Sequence, residues 1–216
     1  MIVRIRSPRR MARSKSWLLA QRLLLLAGLL ALGFVAYSYV ARTAYQAYQS
    51  WKFDRALASS AEQPAGAVAR PPAPGRAVDG VIGRITIPRL EINAVVKDGV
   101  SNRMLGLAVG HIRSTALPGS PGNVGLAAHR DTLFRNLKDI RQDDEITLTT
   151  LQGTYLYRVV WFKVVSPAAV SVLAPTAGEE TLTLVTCYPF YFVGHAPKRF
   201  VVRARRVESV PLPKQL

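Results

Sequence analysis

The stretch Glu180-Thr-Leu-Thr-Leu-Val-Thr-Cys187 alternates threonine and leucine before it ends at the only cysteine of the 216-residue chain. Successive side chains of a β-strand point to opposite faces, so Thr181 and Thr183 share one face and the leucines share the other. A strand with one apolar face fits the wall of a barrel or a sandwich. Pro189 follows two residues after the cysteine and ends the ladder, because proline has no N–H to donate.

The residues after Gly80 continue this pattern. Short runs rich in Val, Ile, Leu, Thr and Tyr are separated by Gly, Pro, Asp and Asn, which predicts an antiparallel β domain. We expect strands near residues 83–88, 92–97, 123–128, 145–150, 154–165, 180–186 and 199–207. Helical turns are expected at residues 103–108 and 132–140. The residues alone therefore predict a small mostly-β barrel with short connecting helices.

The N-terminal part has the pattern of a membrane anchor. Arg22 is the only charged residue between Trp17 and Val40, and this run approaches the roughly 20 apolar residues that a spanning helix needs. Basic residues precede the run, at Arg4, Arg6, Arg9, Arg10, Arg13 and Lys15. Because cytoplasmic flanks carry the excess of Lys and Arg, we expect a single-pass protein of the plasma membrane with its N-terminus in the cytoplasm. A signal peptide cleaved near residues 36–38 is the alternative, which the long apolar run disfavours.

The chain carries 29 Lys and Arg against 13 Asp and Glu, a net charge of +16, and no acidic residue precedes Asp54. Much of this charge belongs to the membrane-proximal part, so we expect no nucleic-acid partner. Residues 58–79 are rich in Ala, Pro, Gly and Ser, which is typical of a semi-extended linker. The predicted parts are a basic cytoplasmic segment (1–16), a transmembrane helix (17–41), an extracytoplasmic stalk and linker (42–79) and a folded domain (80–210).

Cys187 is the first candidate for chemistry. A single cysteine excludes an internal disulfide, so the thiol is either a small buried apolar group or a reactive one. Acyl transfer by a thiol requires a partner that supplies thiolate, because a free cysteine has a pKa of about 8.5. Of the three histidines, His129 ends an apolar run, His111 has the setting of a packing histidine, and His195 lies in a loop. Spacing alone leaves the choice open.

An oxyanion also needs a hydrogen-bond donor. Arg199 opens the run Phe200-Val-Val-Arg203, which can pair with the strand that carries Cys187. A solvated charge at the sheet edge is the alternative for this arginine.

Four segments, in this order, resemble sortases. Gly83-Arg-Ile-Thr-Ile-Pro88 is similar to their opening strand, and Gly125-Leu-Ala-Ala-His129-Arg130 to their histidine segment. Thr183-Leu-Val-Thr-Cys187 matches their TLxTC motif, and Lys198-Arg199-Phe-Val-Val202 resembles their catalytic-arginine strand. The likeness covers roughly residues 80–207, and the segment from Cys187 to Arg199 is most similar to class D.

The resemblance implies an eight-stranded sortase β-barrel in which Cys187, His129 and Arg199 take the catalytic positions of nucleophile, acid/base and oxyanion stabiliser. Thr183 and Thr186 would shape the substrate cleft. Ala128 replaces a glycine that many sortases have in their histidine segment, and it belongs to the expected substrate-binding residues. The region between residues 164 and 178, which shapes substrate selectivity in the family, is short and rich in Pro and Ala.

The implied activity is cysteine transpeptidation of secreted proteins that carry an LPxT-like C-terminal sorting motif. The acceptor would be an amine on cell-wall peptide or on another surface protein. A hydrolytic cysteine protease and a catalytically silent, membrane-tethered binding barrel are the alternatives; an L,D-transpeptidase is disfavoured because its cysteine pattern is missing. No cofactor is expected. Scattered His and Cys lack chelating spacing, and Glu179-Glu180 favours a solvated turn over a calcium site.

Overall fold

A computed structural model describes residues 15–61, 77–176, 178–192 and 194–207. It contains one long helix, α1 (Lys15–Ala61), followed by eight strands. The strands are β1 (Val81–Ile87), β2 (Ile92–Asp98), β3 (Val109–His111), β4 (Gly122–Ala127), β5 (Glu145–Thr150), β6 (Gly153–Val165), β7 (Glu180–Tyr188) and β8 (Lys198–Arg206). The short helix α2 (Asn102–Leu105) and 3-10 helices at Pro88–Leu90, Arg135–Asp139 and Val170–Leu173 connect them.

The eight strands close into one barrel in the order β1-β2-β3-β4-β7-β8-β6-β5. All neighbours are antiparallel except the pairs β2–β3 and β4–β7, which are parallel. The predicted eight-stranded barrel is confirmed, and each strand expected from the residues is present within a few residues of its predicted bounds. Sequence patterning missed only β3, whose three residues are too few to display a period of two.

The barrel interior holds the apolar face of each strand. The largest fully buried aliphatic side chains are Ile85, Ile87, Leu126, Leu137, Ile146, Leu148, Leu182 and Leu184. Leu182 and Leu184 are the leucines of the alternating stretch in β7, and their inward position is confirmed, but the predicted one-sided burial of this stretch is wrong. Thr181 and Thr183 are also buried, because further residues cover the outer face of β7.

The N-terminal half of α1 is long and apolar enough to cross a membrane, within a candidate span Ser16–Ser60. The C-terminal part of α1 belongs to the same compact unit as the barrel, which begins at Ala44. Phe53 is 0% exposed and packs in a cluster with Val81, Val95 and Ala108. Phe53 lies within residues 42–79, which the sequence predicts to be a stalk and linker.

Polar contacts reinforce this docking of α1 on the barrel. The side chain of Gln46 donates from Nε2 to the carbonyl of Leu107 (2.5 Å) and accepts at Oε1 from the N–H of Val95 (3.0 Å). Arg84 of β1 donates to the carboxylate of Asp54 (2.8 Å). The helix therefore satisfies main-chain groups of the barrel as well as covering apolar surface.

Candidate active site

Cys187 and Arg199 are directly opposite each other on neighbouring strands. In the antiparallel pair β7–β8, Cys187 is the register partner of Arg199, and Thr183 is the partner of Arg203. Directly opposed residues of an antiparallel pair point to the same face with Cβ atoms about 4.5–5.5 Å apart. Both residues are half-buried, so the thiol and the guanidinium lie on one accessible face at the same end of the barrel.

His129 reaches this end of the barrel because β4 and β7 are parallel. Ala127 of β4 is the register partner of Val185 of β7, so two further residues along each chain bring His129 level with Cys187. The N–H of Ala128 donates to the carbonyl of Val185 (3.3 Å) and extends the pairing beyond the strand. His129 is half-buried at the turn that follows. The three residues selected from the sequence are thus brought together by β4, β7 and β8.

The guanidinium of Arg199 contacts the segment between β7 and β8. Its Nη1 donates to the carbonyl oxygens of Ala196 (3.1 Å) and Lys198 (3.0 Å). These bonds use one nitrogen of a group that carries five N–H donors. The arginine therefore combines a main-chain anchor with donors that can serve an oxygen near Cys187.

Sequence reasoning did not select Arg130, although it follows His129 directly. Its Nη2 donates to the carbonyl oxygens of Phe192 (2.6 Å) and Gly194 (3.1 Å), and its guanidinium lies 5.9 Å from the centre of the Phe192 ring. Arg130 therefore ties the histidine turn to the segment that follows Cys187. No local sequence pattern announces such a contact, because its partners are main-chain carbonyls more than 60 residues away.

The two threonines expected to shape the substrate cleft are buried. Thr186 is buried, and its hydroxyl donates to the carbonyl of Ala128 (2.8 Å), which fixes the end of β4 against β7. Thr183 is buried and donates to Oδ1 of Asn123 (2.7 Å). Because both hydroxyls already have partners within the protein, their geometry favours positioning of the neighbouring strands; direct substrate contact by these residues stays a prediction.

The other two histidines are in different surroundings. His111 is 2% exposed, and its Nε2 lies 3.0 Å from the carbonyl of Ala116 while Nδ1 lies 3.5 Å from the carboxylate of Asp98. The predicted packing role of His111 is confirmed. His195 is exposed on the segment between β7 and β8.

The two glutamates considered for calcium each face an arginine. Glu180 accepts a hydrogen bond from Arg206, and Glu179 lies 3.3 Å from Arg205. Within the described residues, no group of three or more His, Cys, Asp or Glu side chains is placed to hold a metal ion. The geometry thus gives Glu179 and Glu180 ion-pair partners within the protein.

Comparison with known proteins agrees with this geometry. The sortase domain family matches residues 85–207. The chain belongs to the sortase family. It is 33% identical over 125 residues to sortase D of Bacillus subtilis, an alignment that covers 58% of this chain and 63% of that protein. The chain thus spans less than two thirds of the length of this curated relative. The predicted family is confirmed, and a class D sortase is among the relatives.

Solved sortases have the same fold. Sortase C1 of GBS pilus island 1 superposes with a TM-score of 0.60 at 27% identity, covering 78% of this chain and 86% of that one. The sortase D5 transpeptidase of Clostridium perfringens superposes with a TM-score of 0.57 at 26% identity, covering 77% and 98%. Members of the family are cysteine transpeptidases, so a half-buried cysteine facing an arginine lies in an appropriate fold.

Proposed function

We propose that this sortase is a membrane-anchored transpeptidase that cleaves an LPxT-like sorting motif through a thioester on Cys187. The observation that supports the proposal is the strand register, which puts Cys187, His129 and Arg199 at the same end of the barrel. Cys187 is opposite Arg199 in the β7–β8 register, and the parallel β4–β7 register brings His129 level with Cys187.

In the first step, the Cys187 thiolate attacks the carbonyl carbon of the motif threonine. A C–S bond forms, and the carbonyl π electrons move to oxygen to give a tetrahedral oxyanion. When this intermediate collapses, the C–N bond breaks and protonated His129 gives its proton to the departing amine. The product is a thioester between the threonine and Cys187.

In the second step, an acceptor amine on cell-wall peptide or a surface protein attacks the thioester carbon. His129 takes the proton of the amine, a C–N bond forms, and the C–S bond breaks to regenerate the thiolate. In both steps, Arg199 donates to the oxyanion. Because Nη1 of Arg199 is held by Ala196 and Lys198, its donors are oriented before substrate arrives, which is how preorganised donors stabilise developing charge.

We further propose that the apolar part of α1 spans the plasma membrane with the N-terminus in the cytoplasm and the barrel outside. The excess of arginine before the apolar run supports this orientation. An anchored enzyme meets secreted proteins at the surface where they emerge. The partners are therefore a secreted protein with a C-terminal sorting signal and an amine acceptor at the same surface.

The test uses the full chain in detergent micelles with a library of LPxT-type peptides and a small amine acceptor. Mass spectrometry of products and of the intact protein is expected to show transpeptidated peptide and a covalent adduct on Cys187. Both should be lost in Cys187→Ala, and product should be lost in His129→Ala. His195→Ala is the matched control, because this exposed histidine lies outside the strand register that brings His129 level with Cys187, and its variant should retain product.

Other outcomes separate the alternatives. Released acid in the presence of abundant amine would favour a hydrolytic protease. Absence of any adduct across the library, together with a Cys187 thiol that iodoacetamide does not alkylate, would overturn the catalytic proposal in favour of a binding barrel. Equal loss of product in His195→Ala and His129→Ala would contradict the assignment of the acid/base.

A further inference from the structure

The segment between β6 and β7, defined here as residues 166–176, is attached to the barrel by a buried asparagine. Asn123 at the start of β4 is 1% exposed. Its Nδ2 donates to the carbonyl oxygens of Val172 and Ala174 (3.3 Å each), while Oδ1 accepts from Thr181 and Thr183 of β7. One side chain therefore joins β4, β7 and the segment.

Arg203 of β8 makes a second attachment to the same segment. Its Nη2 donates to the carbonyl of Val172 (2.6 Å), and its Nη1 donates to the hydroxyls of Thr176 (2.9 Å) and Thr181 (3.1 Å). The guanidinium also lies 5.6 Å from the centre of the Trp161 ring. Burial lowers the pKa of Arg203, and nearby Glu179 acts in the opposite direction. The carbonyl of Val172 thus accepts from both Asn123 and Arg203.

An apolar contact completes the attachment. The 3-10 helix Val170–Leu173 lies so close to β4 that a Cβ on Gly125 would be 3.2 Å from Cδ2 of Leu173 and 2.9 Å from Cγ2 of Thr115. A side chain at position 125 would therefore crowd Thr115 and the side chain of Leu173. Glycine is required at position 125 because a Cβ has no room there, and its backbone dihedral angles play no part.

The attachment lies on the face of the sheet that carries the thiol. Thr183 and Cys187 are four residues apart on β7, and Arg203 and Arg199 are four apart on β8, so the strand period of two puts all four on one face. At about 3.3 Å per residue, the attachment lies about 13 Å from Cys187 along the strands. That distance is within the length of a short extended peptide whose carbonyl is at Cys187.

We propose that Asn123 and Arg203 are positioning residues that hold residues 166–176 as a fixed wall of the groove that receives the sorting peptide. They determine which peptide sequences are accepted and leave the chemistry at Cys187 unchanged. This inference rests on the proposed transpeptidase function, since it concerns the peptide that reaches the thiol.

The physical basis is the cost of breaking a partly buried polar network. If Arg203 loses its donors, Val172, Thr176 and Thr181 lose a charged partner in a partly buried region, where such bonds are stronger than at the open surface. The segment then has no fixed position over β4 and β7. A peptide that binds against the segment must order it first, which raises KM with little effect on kcat.

The test compares Arg203→Met with Arg158→Met in the full chain in detergent. Methionine keeps much of the apolar stem over Trp161 but removes every donor. Arg158 is the matched control, since it is a β6 arginine whose exposed side chain bonds only Glu145 among the described residues. Thr176→Val is a milder second variant that removes one acceptor of Arg203, and Asn123→Asp removes the two donors to Val172 and Ala174.

Four quantities are measured for each variant: kcat and KM on a panel of LPxT-type peptides, the alkylation rate of Cys187 by iodoacetamide, and hydrogen exchange of residues 166–176. For Arg203→Met and Asn123→Asp we expect KM to rise about tenfold, as loss of charge-assisted bonds predicts, with a changed ranking of peptides. Exchange should rise in residues 166–176, and kcat and alkylation should stay within about threefold. Thr176→Val should change KM in the same direction by less, and Arg158→Met should match wild type.

The inference is overturned if kcat falls while KM and the peptide ranking are unchanged, or if exchange in residues 166–176 matches that of Arg158→Met. A global rise in exchange for Arg203→Met would show loss of folding; in that case, wild-type KM and exchange in Thr176→Val would overturn the inference. If the wild-type chain transfers no peptide at all, the proposed function fails, and the exchange data still decide whether Asn123 and Arg203 anchor the segment.

Discussion

The segments on either side of β7 are held by the same chemistry in different surroundings. Residues 166–176, before β7, are held by Asn123 and Arg203 through partly buried bonds. Residues 189–192 and 194–197, after β7, are held by Arg130, whose bonds are exposed, and by Arg199, whose bond to Ala196 is partly buried. In both cases side-chain N–H groups serve carbonyls that have no strand partner.

This difference in burial predicts a difference in mobility. Water competes for exposed hydrogen bonds, whereas a buried bond is costly to break because its partners stay unsatisfied. Tyr191 is 78% exposed, so apolar burial adds little at this point of the second segment. We therefore expect a fixed segment before β7 and a more mobile one after it, with Cys187 on the strand between them.

The largest expected effect tests whether the strand end between the segments is the reactive centre. Cys187→Ala should lower transpeptidation at least about a thousandfold, because no other described side chain offers a thiol. Product formation is measured beside thermal unfolding, which should stay unchanged. Retained activity would show that Cys187 is not the nucleophile. The comparison of the two segments beside β7 would then have no bearing on catalysis.

A change remote from both segments should affect stability alone. Phe53→Ala, in the part of α1 that packs on the barrel, should lower the free energy of unfolding by about 3–5 kcal/mol, since a fully buried aromatic ring is lost. Denaturant unfolding of the full chain in detergent measures this. Trp51→Ala, at an exposed position of the same helix, is the control and should change stability by less than about 0.5 kcal/mol. Equal effects of the two variants would show that α1 is not part of the folded unit.

An ion pair between an exposed arginine and a buried carboxylate gives a pH-dependent contribution to stability. Arg89 donates to both carboxylate oxygens of Asp144, and the N–H of Arg141 adds a bond of 2.7 Å. These contacts, with Arg89 first, lower the pKa of Asp144 from its ordinary value. A carboxylate whose pKa is lower in the folded state stabilises the protein above its unfolded pKa of about 3.9, and this contribution is lost as pH falls below that value.

Asp144→Asn should therefore cost about 2 kcal/mol at pH 7 and less as the pH approaches 3. Unfolding at several pH values measures the difference from wild type. Hydrogen exchange should stay slower in residues 166–176 than in the segment after β7, because Asp144 lies just before β5 and its side chain bonds to Arg89 and Arg141, outside both segments. A cost that grows toward acid would contradict the sign derived from the lowered pKa.

A smaller effect sharpens the comparison directly. Arg130→Met should raise exchange in residues 189–192 and 194–197 and raise KM about threefold, because surface hydrogen bonds contribute less than buried ones. Residues 166–176 should be unaffected. The exchange maps of Arg130→Met and Arg203→Met should thus differ in location. A larger KM change for Arg130→Met than for Arg203→Met would reverse the ranking of the two segments.

The last prediction is that calcium has no effect on the transpeptidation rate. Glu179 and Glu180 each face an arginine, and these ion pairs use the charge that a calcium ion would need. A chelator should therefore leave the transpeptidation rate and the exchange of residues 166–176 unchanged. Initial rates with and without added calcium measure this. A calcium-dependent decrease in exchange there would show that the arginines do not replace the ion.

The sequence predicted the strands, because their alternation of apolar and polar residues is a local pattern. The alternation in β7 gave its position and its inner face, and the sequence predicted that the run opened by Arg199 can pair with the strand of Cys187. The parallel pairing that brings His129 level with Cys187 was not predicted. Contacts between distant residues were not predictable in this way. Phe53 and Gln46 occur in a helical stretch whose composition suggests a stalk, and only the barrel surface explains their burial and bonding.

The sequence also did not predict which side chains hold the segments before and after β7, for a related reason. Arg203 and Arg205 alternate with apolar residues on one strand, and both appear in the sequence as edge charges. The structure distinguishes them because Arg203 faces the covered carbonyl of Val172 while Arg205 pairs with Glu179 at the surface. A single sequence does not show which carbonyl lacks a strand partner. The position of that carbonyl decides the role of each arginine.

The parallel pairing of β4 with β7 has a consequence for how the protein folds. β4 and β7 cannot form a hairpin, since β5, β6 and their connections lie between them in the chain. Pairing strands so distant in sequence requires closure of a long loop, which costs entropy and slows folding. The thiol and the imidazole therefore come level only when β4 pairs with β7, so a barrel without this pairing holds the two groups apart.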